Sequence, residues 1–448
     1  MINTSAFQGK KAAFYTLGCK LNFSETSTFA KLLHEMGVMT AGEGETADLC
    51  IINTCSVTDV ADKKCRQAIH RMVRKHPGAF VLVTGCYAQL KPVDVSQMEG
   101  VDLVLGANEK AALIQHLSEA WSGGVKTESL HLHHTVKTKD IKSFAPSCSR
   151  GNRTRYFLKV QDGCDYFCTY CTIPYARGFS RSASISQIVQ QAREAAAEGG
   201  KEIVITGVNI GDFGKNTGES FLDLVKALDD VEGISRYRIS SLEPDLISDK
   251  LIEWCAKSRA FMPHFHIPLQ SGADDVLKIM HRRYNAALFA DKVRLIKDLM
   301  PDAFIGVDVI VGMRGETEEH FRQTENLLKS LGVTQLHVFP YSERPGTAAL
   351  RIPLVVDDAE KKRRADRLLA LSDEMTHDFY KKHIGNSAQV LFEKANRGVA
   401  MHGFTKNYIR VELPAAQADA AFDNQLVDVR LGDFNHDNTA LMAHIIDG

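Results

Sequence analysis

No stretch of about 18 apolar residues occurs in the chain, so no transmembrane helix is expected. Residues 1–11 are polar and hold none of the apolar core that a secretory signal needs. A cytoplasmic protein without a membrane partner is therefore expected. Charge of one sign is also missing, with 54 Lys and Arg against 55 Asp and Glu. That balance removes any global reason to expect nucleic acid, and an RNA-binding face has to be local. Cysteine is too sparse for a disulfide scaffold, at ten in 448 residues. In a reducing compartment such residues stay thiols, and clustered ones point to metal or catalysis. No solenoid repeat is present. What remains is an ordinary globular composition, 44% apolar and 24% charged. The length suits about three domains.

The pattern divides the chain into 1–145, 150–384 and 385–448. In the first part, apolar runs of strand length at 12–17, 49–53 and 80–84 alternate with helical stretches at 25–36 and 60–76. Strand, helix, strand reads as a parallel sheet with crossover helices. Residues 122–152, from Ser122 to the polar stretch around Lys137, Lys139 and Lys142, read as a linker. Its His131, His133 and His134 are a weak metal candidate beside the reading as solvated linker. The second part holds six strand–helix units, with strands at 156–160, 202–206, 237–240, 264–267, 304–311 and 335–339. That suggests a partial β/α barrel, whose chemistry belongs at the C-terminal strand ends. The helix after it carries Lys361-Lys-Arg-Arg364, read as a solvated face. The tail alternates at Ala388, Val390 and Phe392, at Ile409, Val411 and Leu413, and at Val427, Val429 and Leu431, as a small β-barrel does.

Two cysteine patterns carry chemistry. Cys164-Asp-Tyr-Phe-Cys168-Thr-Tyr-Cys171 places three thiols in one loop just after a strand. Three thiolates can hold three irons of a four-iron cluster and leave the fourth open for a ligand. A structural zinc site would want a fourth ligand nearby, and none is within reach in sequence. In the first part Cys19, Cys55 and Cys86 each follow a strand, and adjacent strand ends of a parallel sheet converge in one crevice. They read as a second three-thiolate site, against the alternative of three separate buried thiols. Cys50, Cys65 and Cys255 read as packing residues, and Cys148 is left uncommitted.

The Cys164–Cys171 loop, with Tyr170 before its last cysteine, resembles that of the radical S-adenosylmethionine (SAM) enzymes. The resemblance implies that the open iron chelates the amino and carboxylate groups of SAM, whose reductive cleavage gives a 5′-deoxyadenosyl radical. Segments later in the chain resemble the SAM-lining strands of that family. They place Gly207 and Asn209 at the methionine end, Ser241, Glu243 and Gln270 by the ribose and the radical, and Asp308 and Gly312 by the adenine. With the Cys19, Cys55 and Cys86 pattern added, the whole chain resembles the methylthiotransferases. These have an N-terminal three-cysteine domain, a radical SAM domain and a C-terminal RNA-binding TRAM barrel.

Leu17-Gly-Cys19-Lys20-Leu-Asn22 and Asn53-Thr-Cys55-Ser-Val-Thr-Asp look most like the members acting on N6-threonylcarbamoyladenosine of tRNA. The isopentenyladenosine group usually has Cys-Gln-Met-Asn at the first cysteine, and the ribosomal-protein group Cys-Pro-Lys-Asn. The resemblance implies methylthiolation of C2 of that nucleoside beside the anticodon, two 4Fe-4S clusters, SAM, an electron donor such as a flavodoxin or ferredoxin, and a sulfur source. The same chemistry on a ribosomal protein side chain, and a non-catalytic iron–sulfur RNA-binding protein, stay open.

One departure is Met313-Arg314-Gly315-Glu316, where the family usually has Phe-Pro-Gly-Glu. Arg314 is accordingly expected to read the threonyl carboxylate, since a guanidinium binds a carboxylate two-pronged. A surface-loop arginine is the bland alternative. For RNA, the tail is unpromising by charge, with five Lys and Arg against eight Asp and Glu from 385 to 448. Phe404, Lys406, Tyr408 and Arg410 are its candidates. A better face lies on the helix after Cys55, where Lys63, Gln67, His70, Arg71 and Arg74 share one side at helical spacing.

Overall fold

The computed structural model describes residues 5–121, 123–124, 128–149, 154–396 and 398–446. It is an α/β protein with a small closed β-barrel at its C-terminal end. The first unit is a parallel sheet of six strands: β1 (Lys11–Thr16), β2 (Met39–Thr40), β3 (Leu49–Thr54), β4 (Phe80–Gly85), β5 (Leu103–Leu105) and β6 (Leu132–His134). Their spatial order is β2-β1-β3-β4-β5-β6. Every residue of β3 and β4 is buried, because helices cover both faces. Helix α1 (Lys20–Glu35) follows β1, α2 (Asp59–Lys75) follows β3, and the short α3 (Cys86–Leu90) follows β4.

β6 corrects the expected linker. Leu132, His133 and His134 pair in parallel with Leu103, Val104 and Leu105. An exposed edge strand needs backbone partners but no apolar face, so its polar sequence hides it. The three histidines form no metal-binding group among the described residues. His131 Nδ1 donates to the Ser96 carbonyl at 2.5 Å, and the His134 ring stacks on His116. Ser122 and residues 150–152 of that stretch lie outside the described residues.

The second unit is a half-barrel. Its first sheet has the order β12-β11-β8-β7, from β7 (Ser147–Cys148), β8 (Arg155–Lys159), β11 (Glu202–Thr206) and β12 (Arg236–Ile239). Cys148 is therefore a buried strand residue. A two-residue ribbon, β9 (Gln161–Asp162) with β10 (Arg181–Ser182), lies beside the cysteine loop. The second sheet is β13 (His264–Gln270), β14 (Phe304–Val311) and β15 (Gln335–Pro340), all parallel. Single bridges, Tyr237 to Phe261 and Ser241 to His266, join the two sheets. Five crossover helices begin at Ser184, Ser220, Ser248, Asn285 and Thr317, and each of these side chains accepts a backbone N–H of its first turn. The apolar sides of strands and helices merge in one core that includes Leu158, Ile205, Ile239, Ile267 and Val309.

The third unit is a closed barrel, in the order β16-β17-β18-β20-β19. Its strands are β16 (Ser387–Phe392), β17 (Met401–Thr405), β18 (Arg410–Leu413), β19 (Leu426–Phe434) and β20 (Leu441–Ile445). The alternating Val390, Phe392, Val411, Leu413, Val429 and Leu431 point inward. The β17–β18 turn, with Tyr408 at φ +63°, caps the N-terminal end of the half-barrel. The Tyr408 ring lies 4.5 Å from His264 and 5.4 Å from Phe304, and its hydroxyl accepts from Arg155 at 2.9 Å. Arg236 donates to the carbonyls of Phe404 and Gln389, and Arg238 to those of Thr405 and Lys406. Tyr408, an RNA candidate from sequence, is thus occupied in packing between units, and Phe404 stacks on it at 4.6 Å.

The run Lys361–Arg364 is likewise not a uniformly solvated face. Lys361 and Arg364 are buried, and Arg364 pairs with Glu316 at 2.6 Å and Glu360 at 2.7 Å. The partner Glu316 is 48 residues upstream, out of reach of local pattern reading.

Candidate functional site

Cys19, Cys55 and Cys86 stand at the C-terminal ends of β1, β3 and β4, as N-cap of α1, first residue past β3 and first residue of α3. Cys55 and Cys86 are buried and Cys19 is exposed, so the set opens to solvent on one side. Asn22 binds the loops together. Its Nδ2 donates to Leu17 O at 2.7 Å and Thr54 O at 3.0 Å, just before Cys19 and Cys55. Gly18, at φ +97°, leaves room for the second thiol, because a Cβ there would lie 2.8 Å from Cys55 Sγ. Cys65 on α2 fixes the Cys55 backbone from behind, its Sγ accepting from Cys55 N at 3.3 Å and donating to Cys55 O at 3.2 Å. Burial pushes the Cys55 thiol up to about 12, and the charges of Cys86 and Cys19 add to it. Burial also raises Cys86, against the pull of Arg177 and Lys110.

The second set lies on the loop after β9. Burial pushes Cys164 and Cys171 up to about 12, and the charge of Cys168 raises each further. Three crowded thiols that oppose one another's ionisation become thiolates together more readily when a cationic centre sits among them. Arg282 supplies one fixed cation, its Nη1 donating to Cys168 Sγ at 3.1 Å and its Nη2 pairing with Glu243. Burial raises Glu243 to about 7 despite Arg282, with Asp245, Asp308 and Asp212 adding to it. Tyr170 packs against the apolar group of Val276, Met280 and Ile310.

A buried ionic knot ties together the elements that carry the two sets. Arg177 ends the helix Ile173–Arg177 that follows Cys171. Its Nη1 meets Glu25 Oε1 at 3.2 Å and Asp162 Oδ1 at 2.9 Å, and its Nη2 donates to Asn22 Oδ1 at 2.6 Å. Lys159 pairs with the same two carboxylates at 2.8 and 2.7 Å, and Lys110 with Glu25 at 2.5 Å. Burial alone would raise Glu25, but Lys110, Lys159 and Arg177 hold it well below the usual carboxylate range.

The other residues singled out from sequence fall mainly around the half-barrel. Gly207 and Asn209 follow β11, where the backbone N–H groups of Val208 and Asn209 donate to Gln161 Oε1. Asn209 is buried, and its Oδ1 has no hydrogen-bond partner among the described residues. Ser241 bridges to His266. Gln270 sits at a β-bulge with φ +62°, a left-handed backbone that a non-glycine residue adopts only under constraint. Asp308 accepts from His266 Nε2 at 2.7 Å. Gly312, at φ +72°, donates its N–H to Glu316 at 2.6 Å.

Arg314 has its guanidinium committed elsewhere. Nε donates to Glu343 at 2.7 Å, Nη2 pairs with the same carboxylate at 2.6 Å, and Nη1 donates to the Leu350 and Ile352 carbonyls, both at 3.0 Å. Such a fork braces its own loop and offers no two-pronged face to a ligand.

On α2, Lys63, Gln67, His70, Arg71 and Arg74 are exposed, while Cys65, Ile69 and Met72 are buried. Lys63 pairs with Asp59 at 2.9 Å and Arg71 lies over the Tyr15 ring at 4.7 Å, so part of this face is engaged locally.

Two family descriptions match the chain: "Uncharacterized protein family UPF0004" over residues 11–106 and "Radical SAM superfamily" over residues 158–328. A threonylcarbamoyladenosine tRNA methylthiotransferase MtaB of Bacillus subtilis is 38% identical, over 89% of this chain and 89% of the relative. One of Aquifex aeolicus is 35% identical, over 90% and 96%. The chain belongs to the radical SAM methylthiotransferases. A tRNA-2-methylthio-N(6)-dimethylallyladenosine synthase of Finegoldia magna is more distant, at 31% identity over 96% and 94%. Among solved structures, the radical SAM methyltransferase TsrM of Kitasatospora setae aligns with a TM-score of 0.54, over 98% of this chain and 84% of that one. At 13% identity that likeness concerns the fold alone.

For this methylthiotransferase, sequence reading missed Arg282, Arg177, Glu25 and Cys65. Cys65 carried a faint signal, lying ten residues after Cys55 on the buried side of α2. Arg282 and Arg177 carried none, since their partners Cys168 and Asn22 are 114 and 155 residues away.

Proposed function

We propose that the protein methylthiolates C2 of N6-threonylcarbamoyladenosine in tRNA, beside the anticodon. Three domains, 1–145, 150–384 and 385–448, divide the work. Cys164, Cys168 and Cys171 would hold one 4Fe-4S cluster and Cys19, Cys55 and Cys86 a second. The observation that carries this reading is the pair of three-cysteine sets on elements tied by one buried ionic knot. The donor chemistry fits, because each set crowds thiols whose charges conflict until a metal centre joins them. The unpartnered Asn209 Oδ1 fits the ammonium of a SAM methionine. When bound, the reduced cluster and SAM supply a carbon radical able to take hydrogen from an unactivated aromatic C–H, which offers acid–base catalysis no usable proton.

The chain's own residues then position. Arg282 orients Cys168 and neutralises Glu243. Tyr170, Gly207, Asn209, Ser241, Glu243, Gln270, Asp308 and Gly312 line the SAM side of the half-barrel. Asn22 and Arg177 hold the two cysteine sets in register. Lys63, Arg71 and Arg74 meet tRNA phosphates, and TRAM is the reading of the C-terminal barrel. The names of the Bacillus subtilis and Aquifex aeolicus relatives support this substrate over the dimethylallyl one. An electron donor of the flavodoxin or ferredoxin class and a sulfur source complete the reaction. The site of action is the cytoplasm, and no helix among the described residues is long and apolar enough to cross a membrane.

The test is anaerobic incubation of the reconstituted protein with tRNA from a strain lacking its gene, SAM, reductant and sulfide. Mass spectrometry of the digested nucleosides should show threonylcarbamoyladenosine gaining a methylthio group. Deoxyadenosine formed with the nucleoside unchanged would turn the assignment toward a protein side chain.

A further inference from the structure

We propose that the cavity between α2, α3 and the loop after β15 receives the threonylcarbamoyl substituent, and that Arg66 reads its carboxylate. The inference rests on the function proposed above and names the residue that selects its substrate.

The cavity measures about 420 Å³, within the range of sites that take small organic ligands. Ser56, Tyr87 and Thr172 lie in its wall, and each directly follows a cysteine of the two sets, Cys55, Cys86 and Cys171. Thr172 Oγ1 donates to Ser56 O at 3.2 Å, so loops of both cysteine sets meet there. A substituent hanging from a base held at these loops therefore has a recess beside it.

The charged groups of the wall are matched, with one exception. Arg344 is buried, and its Nη2 pairs with Asp62 at 2.8 Å and donates to Ser56 Oγ at 2.8 Å. Asp59 pairs with Lys63 at 2.9 Å. Lys91 and Asp94 stand exposed with opposite charges. Arg66, half-buried on α2, has a single hydrogen bond among the described residues, from Nη1 to the Tyr87 hydroxyl at 3.1 Å, and no carboxylate pairs with it. Tyr87 is itself buried, so it steadies the guanidinium from one side. Nε and Nη2 are left free, and they form the edge that a carboxylate bridges with two parallel hydrogen bonds. The threonylcarbamoyl substituent ends in such an anion. A dimethylallyl group in the same place would cover the guanidinium and offer it no partner, which disfavours that nucleoside. Arg314, with its fork committed to Glu343 and two carbonyls, is not available for this task.

The experiment uses three labelled anticodon stem-loops that carry threonylcarbamoyladenosine, its threoninamide counterpart or plain adenosine, and reads their affinities for the reconstituted full chain. One charged hydrogen bond predicts that the wild-type protein binds the carboxylate form roughly ten- to hundredfold more tightly than the carboxamide. Arg66→Gln, with its iron content and cluster spectrum intact, should bind the two alike, and Arg66→Lys should restore part of the difference. Tyr87→Phe should narrow the difference without abolishing it. If Arg66→Gln weakens all three stem-loops equally and keeps the wild-type preference for carboxylate, Arg66 meets a tRNA phosphate instead and the assignment fails.

Phenylglyoxal labelling of arginines gives a check that needs no variant. In the wild-type protein, saturating carboxylate stem-loop should shield Arg66, located by peptide mass, and saturating carboxamide stem-loop should shield it less. Equal labelling of Arg66 in the two complexes overturns the proposal. Wild type that methylthiolates the modified tRNA yet binds carboxylate and carboxamide alike overturns this inference alone. Wild type that neither methylthiolates that tRNA nor prefers it to plain adenosine overturns the function reading as well.

Discussion

Arg177 donates to Asn22 Oδ1 at 2.6 Å, across 155 residues of chain. One partner closes the helix after Cys171 and the other lies in the first turn of α1 after Cys19. Arg177→Ala leaves Glu25 and Asp162 buried with one counter-charge fewer. Breaking a buried pair of this kind costs about 3–5 kcal/mol. Urea unfolding should show that loss, and Arg177→Lys should recover only part of it, because an ammonium cannot reproduce the planar fork. SAM cleavage should continue in Arg177→Ala while methylthio transfer drops. Unchanged unfolding and unchanged transfer would together show that the knot does not register the two sets.

Iron content separates the two cysteine sets. Replacing Cys164, Cys168 and Cys171 with Ala should leave one cluster per chain and abolish deoxyadenosine formation. Replacing Cys19, Cys55 and Cys86 should also leave one cluster, with SAM cleavage retained and sulfur transfer lost. A full iron complement in the second triple variant sinks the claim of an N-terminal cluster.

The exposed face of α2 makes a salt-dependence prediction. Replacing Lys63, Arg71 and Arg74 with Gln should weaken tRNA binding and lower the log–log salt slope by about one for each lost phosphate contact. Lys63 is already paired with Asp59, so its share should be the smallest of the three. An unaltered slope makes this face ordinary solvated surface.

Acid should loosen the knot. Lys110, Lys159 and Arg177 overcome the opposing effect of burial to hold Glu25 well below 4.5, and Arg177, Lys159 and Arg181 do the same for Asp162 below 3.8. A depressed carboxyl stabilises the fold fully above its unfolded value, and that share is lost as pH falls through the folded value. Stability from this source should therefore be flat from neutral pH to about pH 5 and fall below it. Glu25→Gln should flatten that acid limb in urea titrations. A limb that begins above pH 6 and persists in Glu25→Gln would assign the effect to histidines instead.

Cys19, Cys55 and Cys86 could be grouped from sequence because each follows a short apolar run and strand ends in a parallel sheet converge, and Cys164, Cys168 and Cys171 because they share one loop. The C-terminal barrel was legible from residues such as Val390 and Phe392, which alternate with period two. Contacts between units left no such trace. Glu25 sits in a helical stretch with an ordinary polar neighbourhood, and only the docking of Lys159 and Arg177 makes it a buried anion. Tyr408 read as a surface aromatic for the same reason, since its partners Arg155 and His264 lie in another unit. The Lys361–Arg364 run misled because charge density along one helix says nothing about a carboxylate arriving from elsewhere. Strand β6 was hidden by polar residues on an edge that needs no apolar face.

Tyr408 and the carbonyls around it act as a stopper on the half-barrel at the end where its strands begin. On the proposed function a nucleobase would then enter from the opposite end, where the cysteine loops stand. Turnover then becomes a matter of traffic: a modified base must clear the opening before the next tRNA can present its own. Loosening the stopper, by Tyr408→Ala for instance, would open a second exit to solvent at the floor of the chamber where a radical is to be kept dry.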